Sequence, residues 1–324
     1  MSASPASGAP LSFALIGARS IDASIGFYRD VIGFDVLARG PAEPQFVQLL
    51  GLPAGTTVDT CLLGACGLDI GRILLIAPDL PGRESARRPG ERTTRGLWNV
   101  NFYVDDIVAV ARELSTRYEF WSEPRRYLVS PESGEAIEVV FEAPDGVAVN
   151  LVQPLGDADT FIGRVRIAAE AFGRTRCGFT PIATTAHCVT SLAAARPFYG
   201  EMLGVSTVLD AELGRPETNE FLARPAGARA HTVFLAGNHF FGKLSLNEPL
   251  NFEVPERVIS RADAIGYVAQ GFRVPDFGRA MGAALATGGL VAGEGRMALP
   301  GFRGGKAVML RAPGSGALAC LVEE

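Results

Sequence analysis

Apolar and polar positions along this chain spell the same order of elements four times: a short strand, a helix, then further strands. Residues 12–17 form a short apolar stretch, and 21–32 carry helical periodicity that stops at Gly33. Runs near 46–50, 57–63 and 72–77 have the composition of strands, and 78–96 is a polar, proline-bearing linker. A second unit begins at Leu97, predicts a helix over 107–114, and ends in strands over 137–142 and 148–153. The third unit runs from Ile182 to Asn247 and the fourth from about Tyr267 to Val322. Between the halves, 156–180 is a longer bridge with one helical piece at 162–172.

The second half repeats the first. Phe27-Tyr28-Arg29-Asp30-Val31-Ile32-Gly33 returns 171 residues later as Phe198-Tyr199-Gly200-Glu201-Met202-Leu203-Gly204. The same displacement matches Ala65 to Ala236 and Gly71 to Gly242. Further on, Phe102-Tyr103-Val104 pairs with Phe272-Arg273-Val274, and Ala143-Pro144 with Ala312-Pro313. This predicts an α+β duplication of two tandem domains. The first is 11–155, with modules 11–77 and 97–153; the second is 181–324, with modules 181–247 and 267–322. Residues 156–180 bridge them, and 1–10 read as a flexible tail.

Composition narrows the function classes. The 324 residues are 48% hydrophobic and 20% charged, an ordinary globular mixture long enough for about two cores. A net charge of −5 with no basic stripe gives no reason to expect nucleic acid, and no apolar run has membrane-spanning length. The Arg-rich run 83–95 reads as a solvated connector. Residues 1–10 lack the apolar core of a signal peptide. The five cysteines (Cys61, Cys66, Cys177, Cys188 and Cys320) have no zinc-type spacing, and Cys61 and Cys66 read as core thiols. The expected compartment is the cytoplasm.

The motifs carry a resemblance that covers nearly the whole chain. Ser24 to Gly33, with its Ser-x-x-Phe-Tyr and closing Gly, resembles the start of a glyoxalase-type βαβββ module. Val104-Asp105-Asp106 resembles the start of a second. Glu142-Ala143-Pro144-Asp145-Gly146, followed by Asn150-Leu151, is similar to the acidic turn and last strand of that module. The family is the vicinal oxygen chelate superfamily of glyoxalases, extradiol dioxygenases, fosfomycin-resistance transferases and bleomycin-binding proteins. The resemblance implies four βαβββ modules forming two glyoxalase-like domains, the halves side by side. It also implies a divalent metal held by His and Glu on facing strands of a cupped sheet.

At those implied positions the first half offers Phe13, Leu74, Asn99 and Asn150, and the second Thr184, Ser245, Ala269 and Cys320. None is His, Asp or Glu, so no metal or other cofactor is expected. Side chains alternate along strands, so parity predicts what lines each cup. In the first half it selects Phe13, Leu15, Arg72, Leu74, Asn99, Asn101, Tyr103, Ala148 and Asn150. In the second it selects Thr184, Ala186, Cys188, Lys243, Ser245, Asn247, Ala269, Gly271 and Cys320. From these, Phe13, Arg72, Asn99, Asn101, Asn150, Thr184, Ser245 and Cys320 are the candidate substrate-binding residues. The bland alternative is that the asparagines satisfy one another in a packed barrel.

Candidates for catalysis are His187, Tyr103 and Arg125. His187 is a titratable imidazole, although its parity puts it on the helix side of its strand. Arg125 lies in Trp121-Ser122-Glu123-Pro124-Arg125-Arg126-Tyr127, which rims the cup in similar folds. His231 and His239 read as surface and turn residues, and Gly301 to Lys306 as a hairpin rather than a phosphate loop. The expected function is a metal-independent enzyme of lyase, isomerase or hydrolase type. Its partner would be a hydrophobic or aromatic small molecule, with no nucleic acid and no membrane, acting as monomer or homodimer. The alternatives are a sequestering protein of the bleomycin-resistance type, and a metal-dependent extradiol dioxygenase or glyoxalase.

Overall fold

Each predicted unit folds as a βαβββ module in the computed structural model, which describes residues 8–88, 90–256 and 261–324. In the first, β1 (Phe13–Gly17) leads into α1 (Ile21–Gly26), whose N-terminus is capped by Ser20 accepting from the Ala23 N–H. A π-helical turn (Phe27–Val31) extends it, followed by β2 (Asp35–Pro41), α2 (Pro44–Leu49), β3 (Val58–Gly64) and β4 (Arg72–Pro78). The second has β5 (Gly96–Tyr103), α3 (Ile107–Leu114), β6 (Arg125–Ser130), β7 (Gly134–Glu142) and β8 (Ala148–Pro154), and α4 (Phe161–Phe172) forms the bridge. The third comprises β9 (Thr184–Cys188), α5 (Leu192–Leu203), β10 (Ser206–Leu213), α6 (Pro216–Phe221), β11 (Ala230–Ala236) and β12 (Lys243–Pro249). The fourth comprises β13 (Gly266–Val274), α7 (Phe277–Ala286), β14 (Leu290–Arg296), β15 (Lys306–Arg311) and β16 (Leu318–Glu323).

The modules do not pair within their halves. One eight-stranded sheet has the order β14-β15-β16-β13-β1-β4-β3-β2, joining module four to module one. The other has the order β10-β11-β12-β9-β5-β8-β7-β6, joining module three to module two. The seams are antiparallel: Phe13 sits opposite Gly271 in the first sheet, and Asn99 opposite Ala186 in the second. The expected units 11–155 and 181–324 therefore share both sheets instead of owning one each. Repeat length reports which modules are alike, whereas pairing follows whichever strand edges meet when the chain buries its apolar faces.

The repeat register has a structural cause. Leu11 N–H donates to the Gly242 carbonyl, Gly242 N–H to Ile182, Ile182 N–H to Gly71, and Gly71 N–H back to Leu11. This closed ring ties module one to module three about a local two-fold. Gly71 and Gly242 have φ of 64° and 72° there, and a Cβ on either would lie 2.6 Å and 2.8 Å from the Ile182 and Leu11 carbonyl oxygens respectively.

Two local expectations change. Residues 46–50 belong to a helical turn, not a strand. A five-residue apolar run is compatible with either, and Pro44 at the first helical position pre-sets φ for the helix. Of the expected tail 1–10, residues 1–7 lie outside the described residues. Residues 8–10 are anchored: Ala9 donates to the Leu203 carbonyl and Gly8 accepts from Asn238.

Alternation sorts the buried residues into three cores. Residues such as Ala14, Val100, Leu246 and Phe272 face the helices, which lie in one continuous core between the sheets. The concave faces form the other two.

Candidate functional site

The concave face of the first sheet is filled. Phe13, Leu15, Phe46, Leu62, Leu74, Met297, Leu299, Met309 and Cys320 pack there as one apolar cluster. The Phe13 ring lies so close to Gly271 that a Cβ would meet it at 2.2 Å, and Phe302 packs edge-on against it at 5.4 Å. Burial pushes the Cys320 thiol up to about 12. Phe13 and Cys320 are thus buried members of this apolar cluster rather than groups presented on an open wall. Arg72 sits half-buried at the end of that sheet and gives its Nε to the Leu68 carbonyl, away from the asparagines it was grouped with.

The concave face of the second sheet is polar. β5 presents Asn99, Asn101 and Tyr103, β8 presents Asn150, and β9 presents Thr184 and Cys188; β12 presents Lys243, Ser245 and Asn247. A bulge where β5 meets β9 lets both Trp98 and Asn99 turn to this side. The pairing of modules has separated the eight metal-ligand positions by polarity. Phe13, Leu74, Ala269 and Cys320 fall in the filled cup, and Asn99, Asn150, Thr184 and Ser245 in the polar one.

Part of the polar face is self-satisfied. Asn99 Oδ1 accepts from the Ala186 N–H at 3.3 Å, Thr232 donates to Asn247 Oδ1 at 2.8 Å, and Asn247 donates to Ser245 Oγ at 3.1 Å. Tyr103 bonds Thr184, and burial raises its phenol well above the ordinary value. Lys243 is 2% exposed, donates to the Phe240 carbonyl and places its ammonium 5.4 Å from the Tyr103 ring centroid. Burial pulls it down to about 7.

The remaining groups surround a cavity of ≈ 70 Å³ lined by Asn101, Tyr103, Tyr127, Glu138 and Thr184, with aliphatic and aromatic walls from β8, β10, β11 and α4. Glu138, on β7, is the carboxylate of this cavity. Its Oε1 accepts from the Tyr127 hydroxyl at 2.5 Å and its Oε2 from Asn150 Nδ2 at 2.6 Å. Burial raises its pKa above the ordinary value, and those two hydrogen bonds pull partly back. Among the described residues, Asn101 Oδ1 and Asn150 Oδ1 are buried without hydrogen-bond partners, so the cavity retains an unused acceptor in Asn101. Glu138 stands out only after folding, since in the sequence it is one acid among several on an exposed-looking hairpin. Its parity with Ala136 and Val140 was the signal available.

The other candidates are dispersed. His187 faces the helices, with Nε2 2.6 Å from Ser315 Oγ and Nδ1 3.2 Å from the Tyr199 hydroxyl, on the opposite side of β9 from the cup. A satisfied core imidazole there cannot reach a molecule in the cup, which corrects its catalytic assignment. Arg125 is at the rim, paired with Glu220. Trp121 and Tyr127 of the same segment are buried in the cup wall. His231 bonds Asp210 at the surface, all described cysteines are free thiols, and Gly301 to Lys306 connects β14 to β15.

Among the described residues no group of three His, Cys, Asp or Glu converges. The amides and hydroxyls at the family's ligand positions, with one carboxylate already engaged on both oxygens, do not fit a site for Fe, Mn, Ni or Zn. No helix among the described residues is long and apolar enough to cross a membrane.

The family model described as the Glyoxalase/Bleomycin resistance protein/Dioxygenase superfamily matches residues 11–151. Among curated proteins, none matches the chain. Glyoxalase I from Zea mays superposes with a TM-score of 0.62 at 14% identity, over 97% of this chain and 92% of that one. A putative dioxygenase from Bacillus subtilis superposes with a TM-score of 0.56 at 11% identity, over 99% and 86%. At these identities the likeness speaks for the fold, and the two eight-stranded sheets carry it across the whole chain. The family match thus covers residues 11–151, and across its whole length the four-module chain shares the fold of glyoxalase I.

Proposed function

We propose that this protein is a metal-independent enzyme, of lyase or isomerase type, that moves a proton on a hydrophobic or aromatic small molecule held in the cup of modules two and three. The observation that carries this is Glu138: a carboxylate with a raised pKa, oriented by Tyr127 and Asn150 and open to a cavity with an unused acceptor in Asn101. Ionised, Glu138 takes a proton from the bound molecule; protonated, it returns it at another atom. Tyr103 and Asn101 line the same cavity and orient the polar end of the molecule. Val129, Val152, Phe161, Ile162 and Phe234 exclude water from its apolar part.

The test is isotopic. Protein stripped with a chelator is incubated in D₂O with a panel of aromatic and aliphatic carbonyl compounds, and deuterium wash-in is followed by NMR. Wash-in that persists without metal and disappears in Glu138→Gln supports the proposal. Binding without wash-in by any compound favours a sequestering protein, a reading that the apolar walls and the double engagement of Glu138 also suit. Wash-in that requires an added divalent ion overturns the metal-free reading.

A further inference from the structure

Arg224 follows α6, immediately after Ala223, which holds a left-handed φ of 50°. Its Nε and Nη1 are buried and have no hydrogen-bond partner among the described residues. The guanidinium carbon lies 5.6 Å from the Phe252 ring centroid, and the group is within electrostatic reach of Cys188 and Tyr127. Tyr127 lines the Glu138 cavity, while Cys188 and Phe252 line a second, larger cavity of ≈ 410 Å³ together with Arg95 and Glu253. Arg224 is therefore within reach of a residue from each cavity, Tyr127 of the first and Phe252 and Cys188 of the second.

A guanidinium stays protonated, so its buried N–H groups cost free energy until an acceptor arrives. The acids nearby are committed elsewhere or do not reach it. Glu138 is held by Tyr127 and Asn150, Glu220 pairs with Arg125, and Glu256 pairs with Arg95. Glu253 lines the second cavity without pairing to Arg224. The residues outside the described set, 1–7, 89 and 257–260, include no Asp or Glu. Among the described residues, no carboxylate pairs with Arg224.

We infer that Arg224 receives the carboxylate of the molecule bound in the second cup, so that the ligand class is an organic acid with an apolar body. The carboxylate at Arg224 sets the rest of the molecule beside the Tyr127–Glu138 pair. This rests on the reading of that cup as the ligand site and names what the site selects.

The probes are benzoate and benzamide, which share a shape and differ in charge. Each is titrated into the full chain by calorimetry, with emission of Trp98 and Trp121 in the cup wall as a second readout. Benzoate should bind more tightly than benzamide, and Arg224→Gln should weaken benzoate by roughly tenfold or more while leaving benzamide unchanged. Should Arg224→Gln fail to fold, Arg224→Lys decides, because it keeps the charge and loses the planar fork; it should weaken benzoate several-fold. Equal affinity for the two probes in the unaltered protein, or unchanged benzoate binding in these variants, overturns the inference. Glu138→Gln separates the two claims. Undiminished wash-in in that variant sinks proton transfer by Glu138, and leaves any selection by Arg224 standing.

Discussion

The hydroxyl of Tyr127, on β6, donates to Glu138, on β7, across an enclosed face of the sheet at 2.5 Å. Asn150 completes the arrangement from β8. Three neighbouring strands thus hold one carboxylate in a fixed orientation, and its two hydrogen bonds partly offset the upward push of burial on its pKa.

Removing the phenol should shift the titration. The Tyr127 hydrogen bond lowers the Glu138 pKa, so Tyr127→Phe raises it further. The acidic limb of the wash-in profile should move to higher pH in Tyr127→Phe. An unchanged limb means that Glu138 is not the titrating base.

Glu138 also makes stability depend on pH with a definite sign. A carboxyl whose native pKa is raised above 4.5 binds its proton more tightly folded than unfolded, so its contribution falls as pH rises through that window. Glu138→Gln removes the loss. The difference in melting temperature between Glu138→Gln and the unaltered protein should grow in favour of the variant between acidic and mildly alkaline pH.

Lys243 has the opposite sign. Its native value of about 7 lies below the ordinary 10.5, so folding favours the neutral amine and the cost of burying the ammonium is greatest below neutrality. Lys243→Met should raise the melting temperature more at pH ~6 than at pH ~9. A pH-independent difference would mean that the bond to the Phe240 carbonyl and the Tyr103 ring fully offset burial.

The two glycines of the ring that joins the modules should be intolerant. Gly71→Ala or Gly242→Ala forces a Cβ against a carbonyl oxygen at positive φ, with strain of about 1–3 kcal/mol before the clash is counted. Urea unfolding should report at least that loss for each.

The filled cup and the polar cup should respond differently. Phe13→Ala should cost about 3–5 kcal/mol of stability, as for other buried aromatics, and leave benzoate affinity unchanged. Asn150→Leu, which removes a donor from Glu138, should abolish wash-in at a smaller cost to folding. Loss of ligand binding in Phe13→Ala with an intact fold would place the site in the other cup.

The sequence by itself determined the four modules, the helices at 107–114 and 162–172 within a residue, and the face of each strand on which Asn99, Asn101, Tyr103, Asn150, Thr184 and Ser245 lie. These follow from local periodicity, which needs only a few neighbouring residues to be legible. Parity even put His187 on the helix side, where it is found. The tertiary structure alone decided that module two meets module three. That choice depends on which strand edges join when the whole chain buries its apolar faces, and no window of sequence contains it. It gathered the amides of one half with the hydroxyls of the other, consigned Phe13, Leu74, Ala269 and Cys320 to a closed core, and brought Glu138 and Arg224 to the same cup. Glu138 and Arg224, 86 residues apart in the chain, come together only through that pairing, as the free energy of burial is a property of the assembled faces rather than of any one strand.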